Sequence, residues 1–350
     1  MAPSSQPLMP LAAWPRSAQV PGLYESWEGY AWVELQRALA GRFEPSPRWL
    51  ESLERRLRLQ LSQPPGPYCG ELVGETALLS LCVLGARVAP ERFASLLPSA
   101  EARVEHILAT ATHLDLMTGL CGTFVGIVQL RKTYYPRRLL RALHGRIASK
   151  VRGQLVARAP LRLGLAHGLA GYLLALELGR SVCGFGDKQD VIARGLEHLL
   201  SAPFLDERGQ VWWPIDSGGA APAGGFLNAW CHGNAGIALA AFVCRAMSRR
   251  DDYQSLHRAA SATLLATGPL RTFCCGSVGL AQIALEMMRG CRGGARRRYS
   301  DMLQVLLPRV EAGAPLPPGA RGLFKGPLGE LYLRERLAAP AHLPLPALGV

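Results

Sequence analysis

The stretch Trp230-Cys231-His232-Gly233-Asn234-Ala235-Gly236-Ile237, answered further on by Phe273-Cys274-Cys275-Gly276-Ser277-Val278-Gly279-Leu280, decides how the chain is read. Each half is a cysteine-bearing loop, then Gly-x-x-Gly, then an apolar run, Ile237-Ala238-Leu239-Ala240 and Leu280-Ala281-Gln282-Ile283. Three thiols therefore stand just ahead of two expected helix N-termini, where the partial positive charge of the helix start favours thiolate. Three thiolates converging from two loops make a triangle around a soft divalent ion with a fourth position open, the layout of a catalytic zinc site. His232 is expected to turn away from such an ion, toward the cavity. The cysteines alone leave other readings open. Cys274 and Cys275 also fit buried apolar thiols or an oxidised pair, and their spacing matches no zinc finger. The glycine framing favours the metal, because it recurs along the whole chain.

Gly29, Gly74, Gly122, Gly171, Gly236, Gly279 and Gly329 each open an apolar segment, at intervals of 45, 48, 49, 65, 43 and 50 residues. A second glycine stands three residues earlier in the last five repeats, at Gly119, Gly168, Gly233, Gly276 and Gly326. A period of this size holds one helical hairpin. Between the glycine-led segments lie amphipathic ones: 47–61, 100–112, 137–156, 188–201, 252–267 and 298–312. The first has Ser46 as N-cap, Pro47 at the first helical position, and Leu50, Leu53, Leu57 and Leu61 at helical spacing. Strand-like sequence is nearly absent; residues 210–215 read as a short hairpin arm inside the irregular segment 204–226. The expected fold is all-α, with about seven hairpins in two concentric layers, the more apolar helices inside. Seven hairpins fit an open superhelix or a closed α/α toroid. Closure is favoured, because it gathers the glycine loops of repeats four, five and six at one end. Residues 1–20 are expected to be a flexible N-terminal segment and 21–350 a single toroid domain.

With 350 residues, 49% of them hydrophobic, the chain can bury a large core. Nine cysteines without regular spacing do not form a secreted disulfide framework. Residues 1–19 carry a single charge, Arg16, and lack the basic start and apolar run of a signal peptide. No window reads as a membrane span. A reducing cytoplasm is the expected location. The net charge of +13 is concentrated: residues 131–162 hold ten Lys or Arg and no acidic residue, and residues 289–298 add five arginines. Neither run has interleaved aromatics or a nucleic-acid reader motif. Solvated helix faces are the first reading and an acidic peptide partner the second, both ahead of nucleic acid.

The ordered set Asp115-x-x-x-Gly119-Leu120-x-Gly122, Ala166-His167-Gly168-Leu169-Ala170-Gly171, Trp230-Cys231-His232-Gly233-x-x-Gly236 and Cys274-Cys275-Gly276-x-x-Gly279 resembles the lanthionine synthetase C-like family. The tail Gly322-Leu323-Phe324-Lys325-Gly326-x-x-Gly329 resembles that family's last repeat. The resemblance covers most of residues 22–340. It implies an α/α toroid with zinc at one mouth, and a cyclase that adds peptide cysteine thiols to dehydroalanine or dehydrobutyrine, forming thioether rings in lanthipeptides. Carried over position by position, it implies Cys231, Cys274 and Cys275 as Zn²⁺ ligands, Cys275 standing where many relatives have histidine. The Cys-Cys-Gly form resembles a subgroup of class II synthetases. His167 matches the family's proposed acid/base histidine and Asp115 its acidic residue. Read without the family, His167 fits a core histidine and Asp115 an N-cap.

The sequence also departs from the pattern. Some relatives carry an arginine shortly before Trp-Cys, where this chain has Gly225-Phe226-Leu227-Asn228-Ala229. The first two repeats are degenerate. There is no room for the dehydratase half of a class II synthetase, so the implied partners are a dehydrated precursor peptide and a separate dehydratase, unless the chain is a fragment. Two other functions fit the same residues. One is a zinc protein that adds glutathione or another small thiol to dehydroamino acids. The other is a non-catalytic, zinc-containing toroid that binds peptide.

Overall fold

The structure, a computed structural model, describes residues 6–9, 14, 20–130, 137–157, 159–186, 190–218, 228–248, 250–266, 270–313, 316, 320–338, 343–346 and 348. Its helices begin with α1 (Trp27–Leu39), α2 (Pro47–Leu61), α3 (Thr76–Val88), α4 (Pro90–Phe93), α5 (Leu97–Thr110), α6 (Leu120–Gln129), α7 (Arg137–Val156) and α8 (Leu169–Ser181). They continue with α9 (Val191–Ser201), α10 (Asn234–Ser248), α11 (Asp251–Ser261), α12 (Ser277–Gly290), α13 (Gly293–Ala312), α14 (Gly322–Lys325) and α15 (Leu328–Ala338). The sheet among the described residues is a ribbon of β1 (Phe204–Leu205) and β2 (Val211–Trp212), antiparallel, with Phe204 opposite Trp212. The expected hairpin arm at 210–215 contains β2.

Two kinds of helix alternate, as the periodicity requires. In α3, α8, α10 and α12 nearly every residue is buried, because these helices are apolar on most faces. Helix α2 buries only the stripe Trp49, Leu53, Leu57 and Gln60 and leaves Arg48, Arg55 and Arg58 in solvent. It starts where the sequence says it must, with Ser46 Oγ accepting from Trp49 N at 3.2 Å.

Backbone contacts divide the chain into two compact units. The first comprises Met1–His113, Met117–Thr133 and Leu316–Val350; the second comprises Leu114–Leu116 and Tyr134–Pro315. Within the first unit, α3 packs between α1 and α6, and α14 packs on α1. First and last repeats thus meet: Phe324 N donates to Tyr24 O at 3.1 Å, Trp32 lies edge-on to Tyr332, and Arg37 reaches Glu335 at 3.3 Å. An open superhelix would keep those repeats apart. Within the second unit, α10 packs between α8 and α12, with α7 and α9 against α8, α11 against α10 and α13 against α12. Most of the expected N-terminal segment 1–20 lies outside the described residues. Of the remainder, Trp14 is buried and stacks on Trp27 at 6.4 Å.

The second repeat differs from its expected register. Gly29, Gly122, Gly171, Gly236 and Gly279 occupy the third position of their helices, but Gly74 lies two residues ahead of α3 with φ +143°. The loop contacts identify Ala77 as the counterpart. Gly22, Gly70 and Gly164 stand seven residues before Gly29, Ala77 and Gly171, and each presses its Cα against the carbonyl oxygen of a neighbouring loop, Leu72, Met117 and Cys231 respectively. Gly74 is a turn glycine held by its left-handed conformation, and its place beside an apolar run makes it resemble a helix-opening one.

The shift explains an unusual acid. Six residues before the helix glycine, the other repeats carry Leu23, Leu116, Leu165, Trp230, Phe273 and Leu323, whereas the second carries Glu71. Burial raises the Glu71 carboxyl to about 7, opposed by the hydrogen bond it accepts from Ser80 Oγ at 2.8 Å. Nearby, Glu75 takes a two-pronged bond from Arg103, whose guanidinium also donates to the carbonyls of Leu61, Gln63 and Pro64. This pair ties α5 and the end of α2 to the start of α3.

A carboxyl whose folded pKa lies above its unfolded value stabilises the protein below the unfolded pKa and loses that contribution as pH rises through the folded one. From Glu71 the loss falls between about pH 4.5 and 7. Glu71→Gln keeps an acceptor for Ser80 and removes the charge. It is expected to gain up to ~3 kcal/mol over wild type at pH 8 and under ~1 kcal/mol at pH 5, measured by urea unfolding at both values.

Candidate active site

All the sequence-expected site residues belong to the second unit, on the loops that precede α8, α10 and α12 and on the segment Leu114–Leu116. Those loops are joined by their own peptide groups. Leu116 N donates to Ala166 O at 2.9 Å, Ala166 N to Cys231 O at 3.0 Å, and Trp230 N to Cys274 O at 3.1 Å. Each bond links a residue beside one candidate side chain to the next candidate residue or its neighbour. The middle bond depends on Gly164: a Cβ there would lie 2.5 Å from Cys231 O and 2.8 Å from the His232 Cα. Any side chain at 164 would push the His167 loop off the Cys231 loop.

The turn that presents Cys231 is locked by two buried amides. Asn228 accepts from Ala235 N at 3.0 Å and donates to the carbonyls of Thr263 and Ala266. Asn234 accepts from Trp213 N at 3.0 Å and donates to Val211 O and Thr263 Oγ1. Between them the chain reverses, with Gly233 at φ +76° and Ala229 N bonded to His232 O. Sequence reading passed over Asn228 and Asn234. The signal available was two amides flanking Trp-Cys-His-Gly, a residue type that is seldom buried unless its hydrogen bonds are met.

Cys231, Cys274 and Cys275 converge. Cys275 Sγ lies 3.5 Å from Cys231 Sγ and 3.4 Å from Cys274 Sγ, and all three sulfurs fall within 4.8 Å of one another. These separations exclude disulfides, whose sulfurs sit about 2.05 Å apart. They approach the roughly 3.8 Å between thiolates in a tetrahedral zinc site with bonds of about 2.3 Å. Cys231 and Cys274 are buried, while Cys275 is partly exposed and marks the open side. The Cys231 thiol is pushed up, first by hydrogen bonding with Cys274 and Cys275 and then by burial. Three thiolates at this spacing repel one another unless a cation lies among them, and the donor set fits a soft divalent ion.

His167 and Asp115 come together beside this cluster. His167 Nδ1 stands 3.8 Å from Asp115 Oδ2, with the two side chains 29% and 18% exposed. Both are thus open to a ligand and partly withdrawn from water. His232 stacks on His167, with ring centroids 5.3 Å apart, so its ring lies toward the imidazole rather than among the sulfurs. The His232 pKa is lowered, chiefly by burial, then by the charges of His167 and Arg162, while Cys275 and Asp216 act the other way. Of the segment where some relatives carry an arginine, residues 225–227 lie outside the described residues, and Asn228 serves the amide lock. Arg162 acts on His232 through its charge and lies 3.9 Å from Asp216.

An all-α chain built of glycine-led hairpins, with three cysteines and a His–Asp pair on adjacent loops, defines the class of α/α toroids with a thiol-lined centre. The profile of the lanthionine synthetase C-like protein family matches residues 90–348, and the chain belongs to that family. Among solved structures it is similar to nisin cyclase, with a TM-score of 0.71 and 15% identity over 91% of this chain and 88% of that one. The fold is therefore the α/α toroid. No curated protein matches the chain by sequence.

Asn234→Leu would leave the buried Trp213 N–H, the Val211 carbonyl and the Thr263 hydroxyl without their partner. A loss of about 2–4 kcal/mol is expected, read as a lower urea midpoint at unchanged slope. An unchanged midpoint would remove the amide lock as a support of the Cys231 turn.

Proposed function

We propose that this protein is a zinc-dependent lanthipeptide cyclase, which joins peptide cysteine thiols to dehydroalanine or dehydrobutyrine as thioether rings. The observation that carries the reading is the convergence of three cysteine sulfurs, on loops bonded to one another and to the loop of a His–Asp pair. Family membership and the fold shared with nisin cyclase support it.

Cys231, Cys274 and Cys275 would hold the zinc. Bound there, the ion would supply the Lewis acidity that favours the thiolate form of a peptide cysteine near neutral pH. His167 accepts the thiol proton. The sulfur then adds to the β-carbon of the dehydroamino acid, the C=C electron pair moves onto the carbonyl as an enolate, and His167 returns the proton to the α-carbon. One S–H and one C=C become one C–S and one C–H, with no oxidant required. Asp115 stabilises the imidazolium between the two transfers and fixes its orientation. The His232 ring, stacked on His167, limits rotation of the imidazole and fills space that water would otherwise occupy.

The substrate on this reading is a precursor peptide already dehydrated by a separate enzyme. All nine cysteines are free, which suits a reducing compartment such as the cytoplasm. Among the described residues no helix is long and apolar enough to cross a membrane.

Purified protein is expected to carry about one zinc per chain by elemental analysis. Cys274→Ala should lose both the metal and ring formation. His167→Asn should keep the metal and slow ring closure by about 10²-fold, the usual scale of one general acid/base. The measurement is mass spectrometry of a dehydrated peptide after thiol alkylation, which counts uncyclised cysteines. Equal ring formation by wild type, Cys274→Ala and a no-enzyme control would favour the non-catalytic peptide-binding toroid.

A further inference from the structure

Helix α7 carries Arg137, Arg138, Arg141, Arg146, Lys150 and Arg152 and no acidic residue. A solvated face needs no such bias, and isolated arginines usually find acids nearby. Here Arg138, Arg141 and Arg152 are exposed and have no acidic partner among the described residues. Helix α7 also forms one wall of a cavity of about 420 Å³. Behind it lie the apolar side chains of Leu176, Phe185, Val191 and Ile192, each 4% exposed or less. The α7 wall is thin, made by Gly145, Ala148 and Ser149, and a Cβ on Gly145 would meet nothing within 4 Å. At the rim the Arg141 guanidinium lies 5.6 Å over the Phe185 ring. His144 is occupied, its Nε2 bonded to Leu176 O at 3.2 Å, so it shapes the cavity rather than reacting there.

The cavity is remote from the cysteines. It is bounded by Leu176 and by the loop that follows α8, whereas His167 precedes the first residue of α8. A helix of 13 residues spans roughly 20 Å. The cavity therefore lies outside the reacting centre, on the same unit, and the mechanism leaves it unused.

An apolar socket of this volume beside a one-sign row of cations matches a ligand with both a hydrophobic knob and negative charge. A nucleic acid satisfies the cations but not the socket, and a neutral apolar molecule does the reverse. We propose that α7 and this cavity dock an acidic peptide segment that seats one bulky apolar side chain in the cavity and pairs its carboxylates with Arg138, Arg141 and Arg152. The assignment of that segment to the peptide substrate rests on the cyclase reading; the docking site itself does not.

The probe is a fluorescein-labelled, glutamate-rich peptide of 15 residues with one central Phe, titrated with the full chain and followed by anisotropy. Binding should weaken at least tenfold when the Phe becomes Ser, when the protein carries Arg141→Glu, and when Ala148→Trp fills the cavity. It should fall with added salt. Far-UV dichroism checks that each variant is folded; should Ala148→Trp fail that check, the exposed pair Arg138→Glu and Arg152→Glu tests the charge alone. Binding unchanged in the folded variants, or displacement of the peptide by a 15-nucleotide single-stranded RNA at equal concentration, overturns the proposal. Anisotropy needs no turnover, so a protein that docks the peptide but closes no rings refutes the cyclase reading and leaves the docking site standing. One that closes rings but docks nothing does the opposite.

Discussion

The chemistry of this chain rests on main-chain bonds between loops. Leu116 to Ala166, Ala166 to Cys231 and Trp230 to Cys274 are ordinary peptide hydrogen bonds, each worth about 1 kcal/mol net. Their value is geometric. A peptide group has one donor direction, so bonding loop to loop fixes where the neighbouring side chains emerge. The cost is that backbones must approach where a Cβ would intrude, and the residues that permit this are glycines such as Gly164. Helix packing alone would leave the loops free to splay, and with them the three sulfurs.

That constraint explains why the site assembles from residues with opposing preferences. Three thiols meet at contacts of 3.4–3.5 Å, two of them buried, and hydrogen bonding with Cys274 and Cys275 pushes the Cys231 thiol up. A His–Asp pair 3.8 Å apart remains partly solvated. The first cluster has the donor set for a soft cation, and the His–Asp pair carries the stacked ring of His232 at 5.3 Å. Asn228 and Asn234 complete the arrangement from below, each meeting its buried donors and acceptors so that the Cys231 turn has one conformation. The first unit spends its buried polar groups differently. Glu75 and Arg103 staple helices, and Glu71 occupies a position that is apolar in every other repeat.

Much of this was legible in the chain. The glycine interval and the alternation of apolar with amphipathic runs gave the helix count and order, and α2 and α7 begin and end where the pattern sets them. Both signals are local: a hydrophobic stripe at 3.6-residue spacing and an N-cap act within one or two turns. The slip at Gly74 has the same origin. Beside an apolar run, a glycine that relieves a left-handed turn and a glycine that admits a neighbouring backbone are the same letter, and only the contacts distinguish Gly74 from the true counterpart, Ala77. Asn228 and Asn234 were invisible for a related reason, since most of the partners that mark a buried amide here lie 21–38 residues away.

By itself, then, the sequence determined the all-α architecture, the repeat, and the identity of the candidate ligands, because residue type and short spacing suffice for each. Tertiary structure alone decided that Cys231 and Cys275, 44 residues apart, meet at 3.5 Å, that Asp115 faces His167, that His232 stacks on His167, and that the first repeat closes on the last. It also placed a cavity beside the basic run of α7, a coincidence no linear pattern contains. These are contacts across long stretches of chain, and they exist only once packed helices and bonded loops have fixed the relative positions of segments that the sequence describes one at a time.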